Sequence, residues 1–205
     1  MNMMGMIIEK AAAVGTATTW NPSDKSSSAS LSGGNLILTS TTSAWSGVRS
    51  VTSHFAGKFY CEVTCGGTAL PAYTFFGVAN AGANLDSYLS VDPGAAVLTG
   101  NNGFYCNGVS MGVTDGISGT QTAGMAVDFG AKKLWFWNSD TLHWNADVIG
   151  NQNPALGIGG LDFSAIGSGP WFIVAQVHEA GDVFAANFGA SAFAIGTPPS
   201  GFGNP

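Results

Sequence analysis

The segment Gly57-Lys-Phe-Tyr-Cys-Glu-Val-Thr64 alternates strictly along its length. Phe59, Cys61 and Val63 fall on one side of an extended chain, and Lys58, Tyr60, Glu62 and Thr64 fall on the other. A period of two is the mark of a half-buried antiparallel strand. The surrounding composition allows little else. Of 205 residues 30 are glycine and only 9% are charged, so the strong helix formers Glu, Lys and Arg are scarce. Thr, Val and aromatic residues recur instead between Gly/Asn/Asp clusters, which is the pattern of an all-β domain with many turns. Hydrophobic content of 45% supplies a sizeable core for one domain plus a short extension.

The net charge is −6, with Lys and Arg together numbering 6. So few cations cannot track a phosphate backbone or an anionic bilayer, which excludes nucleic acid and electrostatic membrane binding as expected partners. No apolar run is long enough to span a bilayer, so no membrane insertion is expected. Met1–Ile8 lacks a cationic start and Glu9-Lys10 interrupts the run before Ala11-Ala12-Ala13, unlike a secretory signal. Cys61 and Cys65 on one extended strand lie roughly 13 Å apart at ~3.3 Å per residue, beyond disulfide reach. With Cys106 they read as plain core thiols, although a disulfide from Cys106 to one of the others stays open.

Residues 1–19 form an N-terminal extension, and residues 20–205 form the domain. Met3, Ile7 and Ala11, beside Met4, Ile8 and Ala12, follow i, i+4 spacing. A frayed leader and a strand that closes the sandwich are alternatives. The reading adopted is a docking segment burying Met3, Met4, Ile7 and Ile8 on a neighbouring subunit, which is compatible with a homo-oligomer. Trp20–Ser27 reads as a polar turn region. Strands are expected at Leu36–Thr39, Lys58–Thr64, Thr74–Ala79, Phe104–Cys106, Gly124–Phe129, Leu134–Asn138, Trp171–Val177 and Val183–Phe188. Asn107-Gly108 and Gly130-Ala131 mark hairpins, and Pro198-Pro199 is expected to stop the last strand. Trp135 and Trp137 oppose Leu134 and Phe136, so that strand should be central, with one face on the core and the other covered by a loop.

Several motifs in order resemble one family. Val48-Arg49-Ser50 precedes Gly57–Val63; Phe76-Gly77-Val78-Ala79 and Asn102–Gly108 follow. Met125-Ala-Val-Asp128 with Lys133-Leu-Trp-Phe136, then Ala186-Asn187-Phe188-Gly189 and Pro199-Ser200-Gly201-Phe202, complete the series. Together they resemble SPRY (B30.2-like) domains from about Trp20 to Phe202. The resemblance implies a two-sheet antiparallel, concanavalin-like sandwich that works as a protein-interaction module without a cofactor. The style of the chain resembles stand-alone bacterial and phage versions. That implies a phage virion protein, made in the host cytoplasm, which decorates a capsid or tips a tail appendage. Its partners would be other virion proteins, or a host surface protein or glycan used as receptor.

Catalytic spacing is absent. Glu9, Glu62 and Glu179 offer no paired carboxylates at i, i+2, as a concanavalin-like polysaccharide hydrolase would need. His54, His143 and His178 have no metal-ligand spacing, no GxSxG elbow is present, and Asp92-Pro93-Gly94 and Asp115-Gly116 read as turns. Binding then belongs to loops, with Leu85, Asp86, Tyr88, Asn101, Asn102, His143 and Trp144 as candidates. The expectation is a non-enzymatic interaction module. A carbohydrate-binding lectin is the alternative, and a hydrolase acting through Glu62 is the third reading.

Overall fold

The structure is a computed structural model that describes residues 17–67, 73–113, 116–117, 119–139, 143–147, 151–195 and 197–205. Met3, Met4, Ile7, Ile8 and Asp115 lie outside the described residues. In chain order the strands are β1 Trp20–Lys25, β2 Ala29–Ser32, β3 Ile37–Ser40, β4 Ser46–His54, β5 Lys58–Gly66, β6 Phe75–Asn80 and β7 Ala95–Thr99. They continue with β8 Gly103–Cys106, β9 Val109–Val113, β10 Thr122–Asp128, β11 Lys133–Asn138, β12 Leu161–Asp162, β13 Trp171–Val177 and β14 Val183–Asn187. They pair antiparallel into two seven-stranded sheets, β1-β4-β13-β6-β7-β8-β9 and β12-β11-β10-β5-β14-β3-β2. The all-β chain expected from the alternation and composition, and the two-sheet sandwich that the resemblance implies, are what the chain forms.

Inward-facing residues of both sheets make the core. Phe136 of β11 meets Phe76 of β6 and Phe104 of β8 across it, with ring centroids 6.3 and 6.2 Å apart. Cys61 and Val63 of β5 lie fully buried there, as their alternation requires. All three cysteines are free and buried. Burial, with the Asp182 charge second, pushes the Cys65 thiol up to about 12, and burial chiefly raises Cys106 to about 11. Thiols so far from ionising are poor nucleophiles and act as small core side chains.

Part of the outer face of each sheet is also covered. Phe75, Ala79, Val97 and Val174 on the outside of the first sheet pack under Ala83, Leu85 and Leu89 of the β6–β7 loop. Gln176, fully buried on that face, ties the loop down: its Nε2 donates to the Leu85 and Ser87 carbonyls and its Oε1 accepts from the Leu89 amide. A Cβ on Gly47 would stand 2.7 Å from the Leu85 oxygen, so only glycine lets β4 run so close beneath the loop. The second sheet is covered by the C-terminal tail. Tyr60, Ala126 and Trp135 cluster with Phe202 and, at the rim, Phe193. Gly203 accepts from the Tyr60 amide and donates to the Lys58 carbonyl, taking the stretch of β5 that β14 leaves unpaired.

This cover corrects several expectations. β5 is buried on both faces, because the tail shields Tyr60 and Glu62. Trp20–Lys25 is an edge strand with a register irregularity where a turn was expected; Pro22 is tolerated because an edge strand need not donate on both sides. Ala95–Thr99, absent from the expected strands, is the wholly buried strand β7. β14 ends at Asn187, well before Pro198-Pro199. The Asn107-Gly108 turn holds as expected, with both residues at positive φ (54° and 74°) between β8 and β9.

Candidate functional site

A polar recess lies at one end of the sandwich, where β4 begins and β13 ends. Its lining comes from the β1–β2 turn (Ser27, Ser28), the β3–β4 loop (Thr41 to Trp45), Asp86 of the β6–β7 loop and His178 just after β13, around about 610 Å³. Trp45 forms the floor. Its indole sits 4.3 Å from the His178 ring and 4.7 Å from Tyr88, with Tyr73 and Phe75 at 5.7 and 5.8 Å. Such ring contacts fix the indole while leaving part of it exposed.

The walls are pinned rather than slack. A run of serine hydroxyls links Ser26, Ser28, Ser46 and Ser40 at 2.7–2.8 Å, and the Ser26 and Ser28 hydroxyls both lie 2.9 Å from the Trp45 carbonyl, which accepts from one of them. The Thr41 amide and hydroxyl donate to the Ser28 carbonyl, and the Ala44 amide donates to the His178 carbonyl. His178 Nδ1 lies 2.8 Å from a Glu179 oxygen; the hydrogen bonds from His178 and then Ser43 hold the Glu179 carboxyl below its usual range. The result is a preorganised polar cleft with one large aromatic floor, a geometry that limits the ordering cost of binding.

The structure brings some sequence candidates to this cleft. Asp86 lines it, and Tyr88 packs against its floor. Leu85 is buried at 7% exposure and supports the loop from beneath. Asn101 and Asn102 occupy the β7–β8 turn at the same end of the first sheet, since Phe75 pairs with Thr99. Asn102 accepts from the Gly116 amide. His143 and Trp144 lie elsewhere: the chain folds back so that Trp144 bridges Trp137 over the outside of the second sheet. Trp45, His178 and the Ser/Thr walls were not singled out from the sequence. The signal available was a lone tryptophan set in Thr41-Thr-Ser-Ala-Trp45, a run otherwise made of small residues.

No protein-family model matches the sequence, and no curated protein sequence matches it. Solved structures do. The SPRY domain of human HERC1 superposes with a TM-score of 0.65 at 11% identity, covering 84% of this chain and 99% of that one. The sandwich is SPRY-like. The TRIM65 PSpry domain gives 0.57 at 14% identity over 84% and 92% of the two chains. Stonustoxin gives 0.58 at 17% identity, with 84% of this chain matching 27% of that longer one.

In this SPRY-like sandwich Glu62 has a structural task. It is buried at 2% exposure and accepts from Tyr60 Oη at 2.9 Å and from the Ala194 and Ile195 amides at 2.6 and 3.1 Å. Its oxygens are spent on the tail, which leaves it badly placed as a hydrolytic acid or nucleophile. Burial, then the Glu62 charge and the bond to it, push the Tyr60 hydroxyl up, so Tyr60 stays a donor.

His54 is held between Phe59 and Phe129, with centroids at 4.0 and 5.1 Å, and its Nε2 is buried without a partner. Burial lowers its pKa from the ordinary 6.5. The unfolded chain therefore takes up a proton that the folded chain refuses as pH falls through 6.5, and stability is lost across that window. His54→Phe is expected to flatten the fall in urea midpoint below pH 6.5 and to leave the midpoint at pH 8 nearly unchanged. An unaltered acid slope would assign the loss to other groups.

Proposed function

We propose that this chain is a non-enzymatic interaction module that takes an extended segment of a protein partner into the Trp45–His178 cleft. The partly exposed Trp45 indole, held between hydrogen-bonded polar walls, carries this reading. Rigid aromatic anchors in desolvated recesses supply most of the affinity at protein interfaces, and hydroxyls and carbonyls around them satisfy a peptide backbone. The likeness to SPRY domains supports the same reading, because that family is one of interaction modules. The apolar Met1–Val14 segment and the lysine-poor surface support a place in a virion. There Met3, Met4, Ile7 and Ile8 dock on a neighbouring structural subunit and the cleft faces outward.

One experiment with two variants tests both halves. Peptides selected from a random display library on the intact chain should bind Trp45→Ala at least ~30-fold more weakly, a loss of about 2 kcal/mol, under conditions in which the variant is folded by circular dichroism. Undiminished binding to Trp45→Ala would overturn the cleft as the site. Deletion of residues 1–15 should leave peptide binding intact and abolish co-assembly into particles. Unchanged incorporation would overturn the docking role.

A further inference from the structure

A second recess lies far from the first, on the outer face of the second sheet where the tail stops short of the Trp144 loop. It encloses about 240 Å³ between Tyr60, Trp137, Trp144, Ile195 and Thr197. Trp144 stands nearly perpendicular to both other rings, at 70° and 4.9 Å to Trp137 and at 80° and 6.4 Å to Tyr60. The three make a corner with ring faces on two sides.

Buried polar groups build both walls. Asn145, at 8% exposure, accepts from the Phe136 amide at 2.8 Å and donates to Gln152 at 3.0 Å, and its own amide donates to the Phe136 carbonyl at 2.7 Å. These bonds clamp the Trp144 turn on β11. On the opposite side Glu62 holds the Ile195 amide. The cleft is therefore fixed before any ligand arrives.

Its chemistry is selective. None of the five lining residues carries a formal charge. The Trp137 Nε1 donor is buried without an acceptor. Trp20 and Trp171 share that condition, and Trp137 meets the cleft with other atoms of its partly exposed ring. The exposed Thr197 hydroxyl at the rim favours a ligand ring that carries oxygens over a purely hydrocarbon one. The volume falls below that of pockets for drug-sized molecules and suits a single ring.

We propose that this cleft binds one ring of a neutral glycan. The sugar's C–H face lies on the aromatic corner, and one of its oxygens accepts from the Thr197 hydroxyl. This site is independent of the Trp45 cleft and gives the module a second, sugar-directed contact.

The test is a titration of the intact chain with the methyl glycosides of glucose, galactose, mannose and N-acetylglucosamine, read by saturation-transfer NMR and tryptophan fluorescence. Phenol and cyclohexanol serve as ring controls. At least one glycoside should bind saturably, with affinity reduced about tenfold or more by Trp144→Ala and several-fold by Thr197→Val, a change remote from the core. Trp45→Ala should leave it unchanged, which separates failure here from failure of the peptide cleft. Absence of binding by every glycoside would overturn the proposal. So would binding that survives both Trp144→Ala and Thr197→Val, or binding of phenol or cyclohexanol alone.

Discussion

Arg49→Met is expected to cost ~2–4 kcal/mol of unfolding free energy, because it leaves three loop carbonyls without their donor. In a chain of this size that corresponds to a drop of about 10 °C in Tm. Arg49 is 4% exposed. Its guanidinium donates to Asp24 at 2.7 Å, to the Asn80 and Ala81 carbonyls at 3.1 Å each, and to the Ala83 carbonyl. One side chain thus satisfies the turn after β6 and ties it to β1. Arg49→Lys should recover less than half of the loss, because an ammonium cannot reach four acceptors arranged for a planar fork. Urea unfolding measures the cost. Amide exchange should quicken in residues 81–92, which carry Asp86 and Tyr88 to the cleft. A shift below about 1 kcal/mol would show that water replaces the guanidinium without penalty.

The second large effect is expected at Glu62. Replacement by Ala strips acceptors from two amides and the Tyr60 hydroxyl and leaves a void, for a total of ~3–4 kcal/mol. The loss should be local first. The tail from Phe188 onward should become sensitive to protease at denaturant concentrations that leave β5 and β10 protected. Glu62→Gln should cost less, ~1–2 kcal/mol, because its carbonyl oxygen still accepts while its amide faces another donor. Equal protease resistance of wild type and Glu62→Ala would mean that Phe193 and Phe202 hold the tail without the carboxylate.

Glu62 also shows how far the sequence could be read. The alternation of Phe59 to Val63 put the right residues in the core, since a side-chain period of two follows from strand geometry alone. It could not say that the opposite face was covered, because the covering residues come from the far end of the chain. β7 was missed for a related reason: Ala95-Ala-Val-Leu-Thr99 is buried on both sides and so has no polar alternation to reveal it. β1 was missed because an edge strand with one proline and several polar residues looks like a turn.

The candidate site was less legible than the fold. Asp86 and Tyr88 were visible as loop residues, yet Trp45 gains its role only when the β3–β4 loop meets the residue after β13, more than a hundred positions away. Trp144 looked like a loop candidate of the same kind as Tyr88, but it folds back onto Trp137 at a different surface.

The alternation of Gly57–Thr64, the turn residues and the composition determined by themselves that the chain is built of antiparallel strands, because periodicity and turn chemistry are local properties. Tertiary structure alone decided that Glu62 is a staple for the tail, that Trp45 floors a cleft and that two aromatic recesses lie on different faces. Each of those depends on which distant segment comes to cover a given strand, and long-range packing leaves no period in the sequence.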